Sequence, residues 1–132
     1  MSAVLDASAL LALLRDEPGA ERVEAVLERG AQLSAVNLAE VLSKLADLGE
    51  DPQEAQATMV ARGLLGGAVV VVPFTEEDAL AVARLRAYTQ PLGLSLADRA
   101  CLGLAKRLGL VALTADQVWE RLAGEVQVEV IR

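Results

Sequence analysis

The sequence predicts an α/β fold built on a mainly parallel sheet, and three observations carry that expectation. Short aliphatic runs (Ala3-Val4-Leu5, Ala68 to Val72, Leu110 to Leu113) alternate with longer stretches of helical periodicity. The runs are nearly unbroken by polar residues, as strands buried on both faces are. No internal repeat, linker or low-complexity tail interrupts the alternation, so the 132 residues read as a single domain, 1–132.

The elements follow in order. Ala3-Val4-Leu5 reads as a buried strand and Ala7 to Arg15 as the helix after it. Pro18-Gly19 breaks that helix, and Ala20 to Arg29 forms another with Gly30 at its stop. Gln32-Leu33-Ser34 is a second short strand. A helix from Val36 to Leu48 then carries Leu38, Val41, Leu42 and Leu45 on one face. Gly49 and Pro52 punctuate it before a helix from Gln53 to Leu65. Ala68 to Val72 is the clearest strand, being β-branched and too short for a helix. Thr75-Glu76-Glu77-Asp78 is a capped helix start, and that helix runs to about Tyr88. Pro91 and Gly93 mark a loop before a helix from Leu96 to Leu108, ended by Gly109. Leu110 to Leu113 is a further buried strand and Asp116 to Leu122 a short helix. Val126 to Ile131 alternates as an edge strand does.

Composition narrows the function. Hydrophobic residues make up 54% and aromatics only 2%, so the core is filled by small aliphatic side chains. The absence of histidine excludes Ser-His-Asp triads, zinc–histidine sites and histidine acid–base chemistry. One cysteine, Cys101, cannot form an internal disulfide. Met1 to Asp6 lacks the basic start of a secretory leader, and the apolar run around Leu64 to Phe74 is too short to span a bilayer. A cytoplasmic protein with no membrane role is the expectation. The net charge of −7 runs against nucleic-acid binding unless basic residues cluster on one face or bound cations neutralise an acidic pocket.

Four carboxylates stand out by position: Asp6, Glu40, Asp98 and Asp116. Asp6 and Asp116 each follow a short strand and open a helix, where ligands of open α/β sheets bind. Each acid also has an ordinary role open to it. Asp6 and Asp116 can be N-caps, Glu40 can pair with Lys44 one turn on, and Ser95-Leu96-Ala97-Asp98 fits a capping box. Asp98 fits that role least well, because it falls beside Leu94, Cys101, Leu102 and Ala105 at the edge of the apolar stripe. If the four converge, their repulsion amounts to several kcal/mol by order of magnitude, and they must take up protons or cations. An oxygen-only set selects a hard ion, Mg²⁺ or Mn²⁺, which suits phosphodiester hydrolysis by a metal-activated water.

The same residues resemble a known family. Val4 to Leu14, beginning Val4-Leu5-Asp6-Ala7-Ser8, is similar to the opening of PIN-domain toxins of the VapC type. Asn37-Leu38-Ala39-Glu40-Val41 resembles their second acidic motif, Leu94 to Ala105 the third, and Leu113-Thr114-Ala115-Asp116-Gln117-Val118-Trp119 the fourth. The ordered set spans nearly the whole chain. The resemblance implies a PIN-like three-layer α/β/α fold with a central parallel sheet of four to five strands. It implies an endoribonuclease dependent on Mg²⁺ or Mn²⁺, acting as the toxin of a VapBC-type pair. Asp6 and Asp98 would be the principal metal ligands, and Asp116 and Glu40 would complete the acidic pocket. Thr114 matches a position that orients a neighbouring acid, and Ser8 one near the metal; local capping is an equal reading of both. The resemblance further implies an RNA substrate, a homodimer and a cognate antitoxin lying across the active-site groove. A mean hydropathy of +0.39 fits a chain that covers apolar surface with partners. Arg99 is read as an exposed, solvated side chain, with contact to phosphate the other option. Gln117 stands where a further acid is common, and Glu120 is a substitute for it.

Other classes fit less well. A haloacid-dehalogenase-like phosphatase needs a second Asp where Ser8 stands, and a receiver domain needs an acidic pair after the first strand and a late lysine. A PIN nuclease that processes RNA outside any toxin system, and a catalytically silent PIN domain used for binding, remain open.

Overall fold

A computed structural model describes residues 3–122, 124 and 126–132. Met1 and Ser2, on which part of the leader reading rested, lie outside the described residues. Five parallel strands form one sheet: β1 (Ala3–Leu5), β2 (Ala31–Ser34), β3 (Val69–Val72), β4 (Val111–Thr114) and β5 (Val128–Val130). Their spatial order is β3-β2-β1-β4-β5. The chain therefore winds outward from β1 in one direction, then returns to lay β4 on the other side of β1. In register, Leu5 lies beside Leu33 on one side and Leu113 on the other.

Alternation along the central strands builds two cores. Ala3, Leu5 and Leu113 face one layer of helices, which includes α1 (Ala7–Leu14), α2 (Ala20–Leu27), α3 (Ala35–Asp47) and α4 (Pro52–Ala61). Val4 and Ala112 face the other, formed by α5 (Glu76–Arg84), the single turn α6 (Arg86–Thr89) and α7 (Leu96–Leu108), with Trp119 fully buried among them. Three layers, α/β/α, result. Helix α3 packs on both α1 and α7 and so links the two outer layers beside the site.

Several elements differ from the sequence-based expectation, each for a local reason. The helix expected over 53–65 stops at Ala61, because Gly63 turns left-handed at φ 76°. The helix expected from Thr75 to Tyr88 tightens at Leu85, whose N–H is shared between the carbonyls of Ala81 and Val82. The segment after Asp116 is a 3-10 turn over Gln117–Arg121. The valine run that reads as the clearest strand is β3, at the sheet edge, with Val70 exposed. The C-terminal segment crosses the α1–α2 turn at Gly19, where an added Cβ would lie 2.7 Å from the Ile131 side chain.

Candidate active site

The sheet order reverses between β1 and β4, which opens a crevice outside their carboxyl ends. Asp6 leaves β1 at this point, its N–H still bonded to the Leu113 carbonyl of β4 at 3.0 Å. Extended backbone at Asp6 turns its side chain back as the N-cap of α1, where Oδ1 accepts from Ala9 N at 2.8 Å. The cap reading of Asp6 is therefore correct, and it leaves a carboxylate with more to do.

Two hydroxyls complete its surroundings. Ser8 Oγ donates to Asp6 Oδ1 at 2.7 Å, and Thr114 Oγ1, from the end of β4, donates to Oδ2 at 2.5 Å. Both hydroxyls also accept backbone N–H groups from the β4 exit, Ser8 from Ala115 at 2.8 Å and Thr114 from Asp116 at 3.0 Å. Each hydroxyl thus serves the local backbone and hydrogen-bonds the acid as well. Asp6 is only 4% exposed, and burial pushes its carboxyl up to about 6, against the pull of the Thr114, Ser8 and Ala9 donors and with some help from the Asp98 charge. No lysine or arginine offsets it among the described ion pairs.

Glu40 and Asp98 arrive from two helices pinned together. Asn37, fully buried in the first turn of α3, donates from Nδ2 to the Ala97 carbonyl at 3.0 Å and to Glu40 Oε1 at 3.4 Å. Asp98 holds the capping box of α7: its Oδ2 accepts from Ser95 N at 2.8 Å, and its own N–H donates to Ser95 Oγ at 3.1 Å. Partial burial raises the Glu40 carboxyl above its ordinary value, the Asn37 amide opposes that, and the Asp98 charge adds to it. Beneath them the buried Cys101 thiol is pushed well up, first by burial and then by the fields of Asp6, Asp98 and Glu40. These three acids therefore share one electrostatic neighbourhood.

Asp116 behaves differently. Its carboxylate is exposed and caps its own 3-10 turn, Oδ1 accepting from Val118 N at 3.0 Å. It joins the Asp6 network through its backbone N–H on Thr114. Glu40 does not pair with Lys44 among the described ion pairs. Arg99 corrects the sequence reading outright: it is buried, and its guanidinium donates to the Val82 carbonyl of α5 at 3.1 Å. It faces the α5–α7 packing, so neither solvation nor phosphate contact describes it. Asn37 is the side chain of the candidate site that sequence reasoning passed over. Its place on the Val41–Leu45 stripe of α3 was the available signal, a polar residue on a buried face.

The donor set suits a hard cation. Carboxylates and hydroxyls supply oxygen alone, and Asn37 Oδ1 is buried without a partner beside them. Among the described residues no group of three carboxylates is close enough to hold one ion. An ion held there would take few direct protein ligands and would keep waters, which fits Mg²⁺.

A parallel sheet with helices on both faces and an acidic crevice at its switch point defines a class of α/β proteins that bind ligands at strand ends. The PIN domain family model matches residues 3–125, and the chain belongs to that family. It is similar in structure to FitAcB from Neisseria gonorrhoeae, with 26% identity over 98% of this chain and 97% of that one and a TM-score of 0.71. DNA-bound VapBC from Salmonella typhimurium gives 18% identity, coverage of 100% and 99%, and a TM-score of 0.73. VapBC-5 from Mycobacterium tuberculosis, a member of the VapBC family of toxin-antitoxin systems, gives 24%, 100% and 99%, and 0.57. No curated protein sequence matches significantly.

Proposed function

We propose that this chain is a metal-dependent endoribonuclease and the toxin of a VapBC-type toxin–antitoxin pair. One observation carries the nuclease reading: a buried Asp6 at the switch point, sharing its field with Asp98 and Glu40 and offset by no cation among the described ion pairs. Membership of the PIN family, generally nucleases, points the same way, and the toxin–antitoxin proteins among its structural neighbours favour an antitoxin partner; a homodimer is part of the same proposal and rests on the sequence resemblance alone.

In this reading Asp6 and Asp98 hold Mg²⁺ or Mn²⁺, with Glu40 and Asp116 completing the pocket. When bound, such an ion would supply Lewis-acid stabilisation of the phosphate and lower the pKa of the attacking water. The Ser8 and Thr114 hydroxyls fix the orientation of both Asp6 oxygens, so little reorganisation is needed when the substrate arrives. Glu40, held by Asn37 and raised above its ordinary value, would take a proton from the attacking water. RNA is the substrate, and the antitoxin chain lies across the same groove.

Purified protein free of antitoxin, incubated with structured and total RNA, tests this. Cleavage is expected with Mg²⁺ or Mn²⁺ and should vanish with EDTA and in Asp6→Asn. Folded protein that cuts nothing with either metal would instead be a binding domain.

A further inference from the structure

A second cavity adjoins the acidic crevice, sharing the Ser8 side chain with it. It holds about 400 Å³ and is lined by Ser8, Leu11 and Arg15 of α1, Lys44 and Leu48 at the far end of α3, and Arg132. Glu17 closes its rim. Three cations against one acid is a local reversal of sign in a chain of net charge −7.

The two helices that carry the acids also carry these cations. On α1, Asp6 is the cap, Ser8 lies in the first turn, and Arg15 follows the last. On α3, Lys44 follows Glu40 by four residues, about 6 Å further along the axis and on the same face. Arg15 and Arg132 share Glu17 at 3.7 and 3.6 Å, long contacts that leave both guanidinium groups partly open to solvent. Arg132 is also steadied by donating to the Pro18 carbonyl at 3.2 Å. Lys44 has no ion pair among the described residues. Leu11 and Leu48, the latter 46% exposed, add an apolar wall beside the charges.

We propose that this cavity is the subsite for the RNA backbone next to the scissile bond, with Lys44, Arg132 and Arg15 meeting a flanking phosphodiester and Leu11 and Leu48 meeting the adjoining sugar or base. The inference rests on the nuclease reading and adds what the acidic crevice lacks. A polyanion must approach a cluster of carboxylates, and fixed positive charge one helical turn away offsets that repulsion and sets the strand's register. Such contacts position a strand without reading its sequence, so the subsite acts uniformly across RNA sequences.

The test uses single-stranded RNA dodecamers of several sequences, bound in Mg²⁺ by Asp6→Asn so that the strand stays intact. Lys44→Ala and Arg132→Ala are each added to that background and compared with Arg29→Ala, an equal charge change at the amino end of the strands, with melting curves to confirm folding. The salt dependence of binding is expected to lose about one unit of slope for each subsite cation removed, with several-fold weaker binding on every sequence and no loss of slope for Arg29→Ala. Equal effects of all three variants, or none from Lys44→Ala and Arg132→Ala, overturn the subsite. So does RNA binding left intact while binding of a poly-glutamate peptide is lost, which would make the cavity a protein-docking site. Cleavage separates the two readings: a cutting enzyme indifferent to Lys44→Ala and Arg132→Ala keeps the nuclease and loses the subsite. A chain that binds as expected but never cuts overturns the nuclease reading and, with it, the placing of this subsite beside a scissile bond.

Discussion

Asp6 is held in a costly state at neutral pH. Its carboxyl is raised from 3.8 to about 6, so below pH 3.8 it is protonated in both folded and unfolded chains and costs nothing. Between those values the unfolded chain ionises first and stability falls as pH rises. Above about 6 the loss is complete, about 3 kcal/mol at 1.36 kcal/mol per unit. Glu40, raised in the same direction, adds to the trend. Asp6→Asn in EDTA is therefore expected to melt higher than the parent at pH 8 and to lose that advantage by pH 4. A parallel pair of melting curves across this range would refute it. Thr114→Val, nearly isosteric, deletes the 2.5 Å donor that opposes the rise. It should move the acid limb of the cleavage profile to higher pH and cost about 1–3 kcal/mol, because the Asp116 N–H also loses its acceptor. Asp6, Ser8 and Thr114 were legible in the sequence because strand-to-helix junctions announce themselves in short windows. That both hydroxyls meet one carboxylate was not, since Thr114 and Asp6 lie 108 residues apart and only the β1–β4 pairing joins them.

At the level of elements, the α3–α7 contact decides whether Glu40 and Asp98 share a site. Asn37 makes that contact, donating to the Ala97 carbonyl one residue before Asp98. Asn37→Ala should destabilise the fold by about 1–3 kcal/mol and reduce cleavage by more than the stability loss explains, measured well below the melting temperature. Unchanged cleavage would remove Asn37 from any positioning role. Helix α7 was readable to the residue, Leu96–Leu108, since its capping box and Gly109 stop are local signals. The valine run of β3 was read as a strand, yet its position at the sheet edge depends on which neighbours pair with it, and no window of sequence carries that. Arg99 fails for the same reason: its burial depends on α5 packing against α7, and α7's own stripe predicts only that Asp98 is awkwardly placed.

Over the whole molecule, small aliphatic side chains fill two cores and a single tryptophan, Trp119, is fully buried in the second. It sits in the turn after Asp116, so its fluorescence reports on the β4 exit directly. Trp119→Leu is expected to lower stability by about 2–4 kcal/mol in urea denaturation, through the cavity left among Val4, Leu102 and Ala112. A smaller loss would mean that this corner collapses freely. The fold was legible because periodicity and length sufficed. The crevice was legible as a set of acids, and less so as a shape, since Asp116 turned to cap its own chain.

The strand order β3-β2-β1-β4-β5 also has a meaning in time. Synthesis delivers β1 well before β4, yet the two lie side by side with Thr114 against Asp6. A nascent chain that has emerged only as far as α6 has neither Asp98 nor Thr114 to offer. The pocket therefore comes into being only once β4 has followed β1 out of the ribosome, and a chain stopped before β4 lacks it.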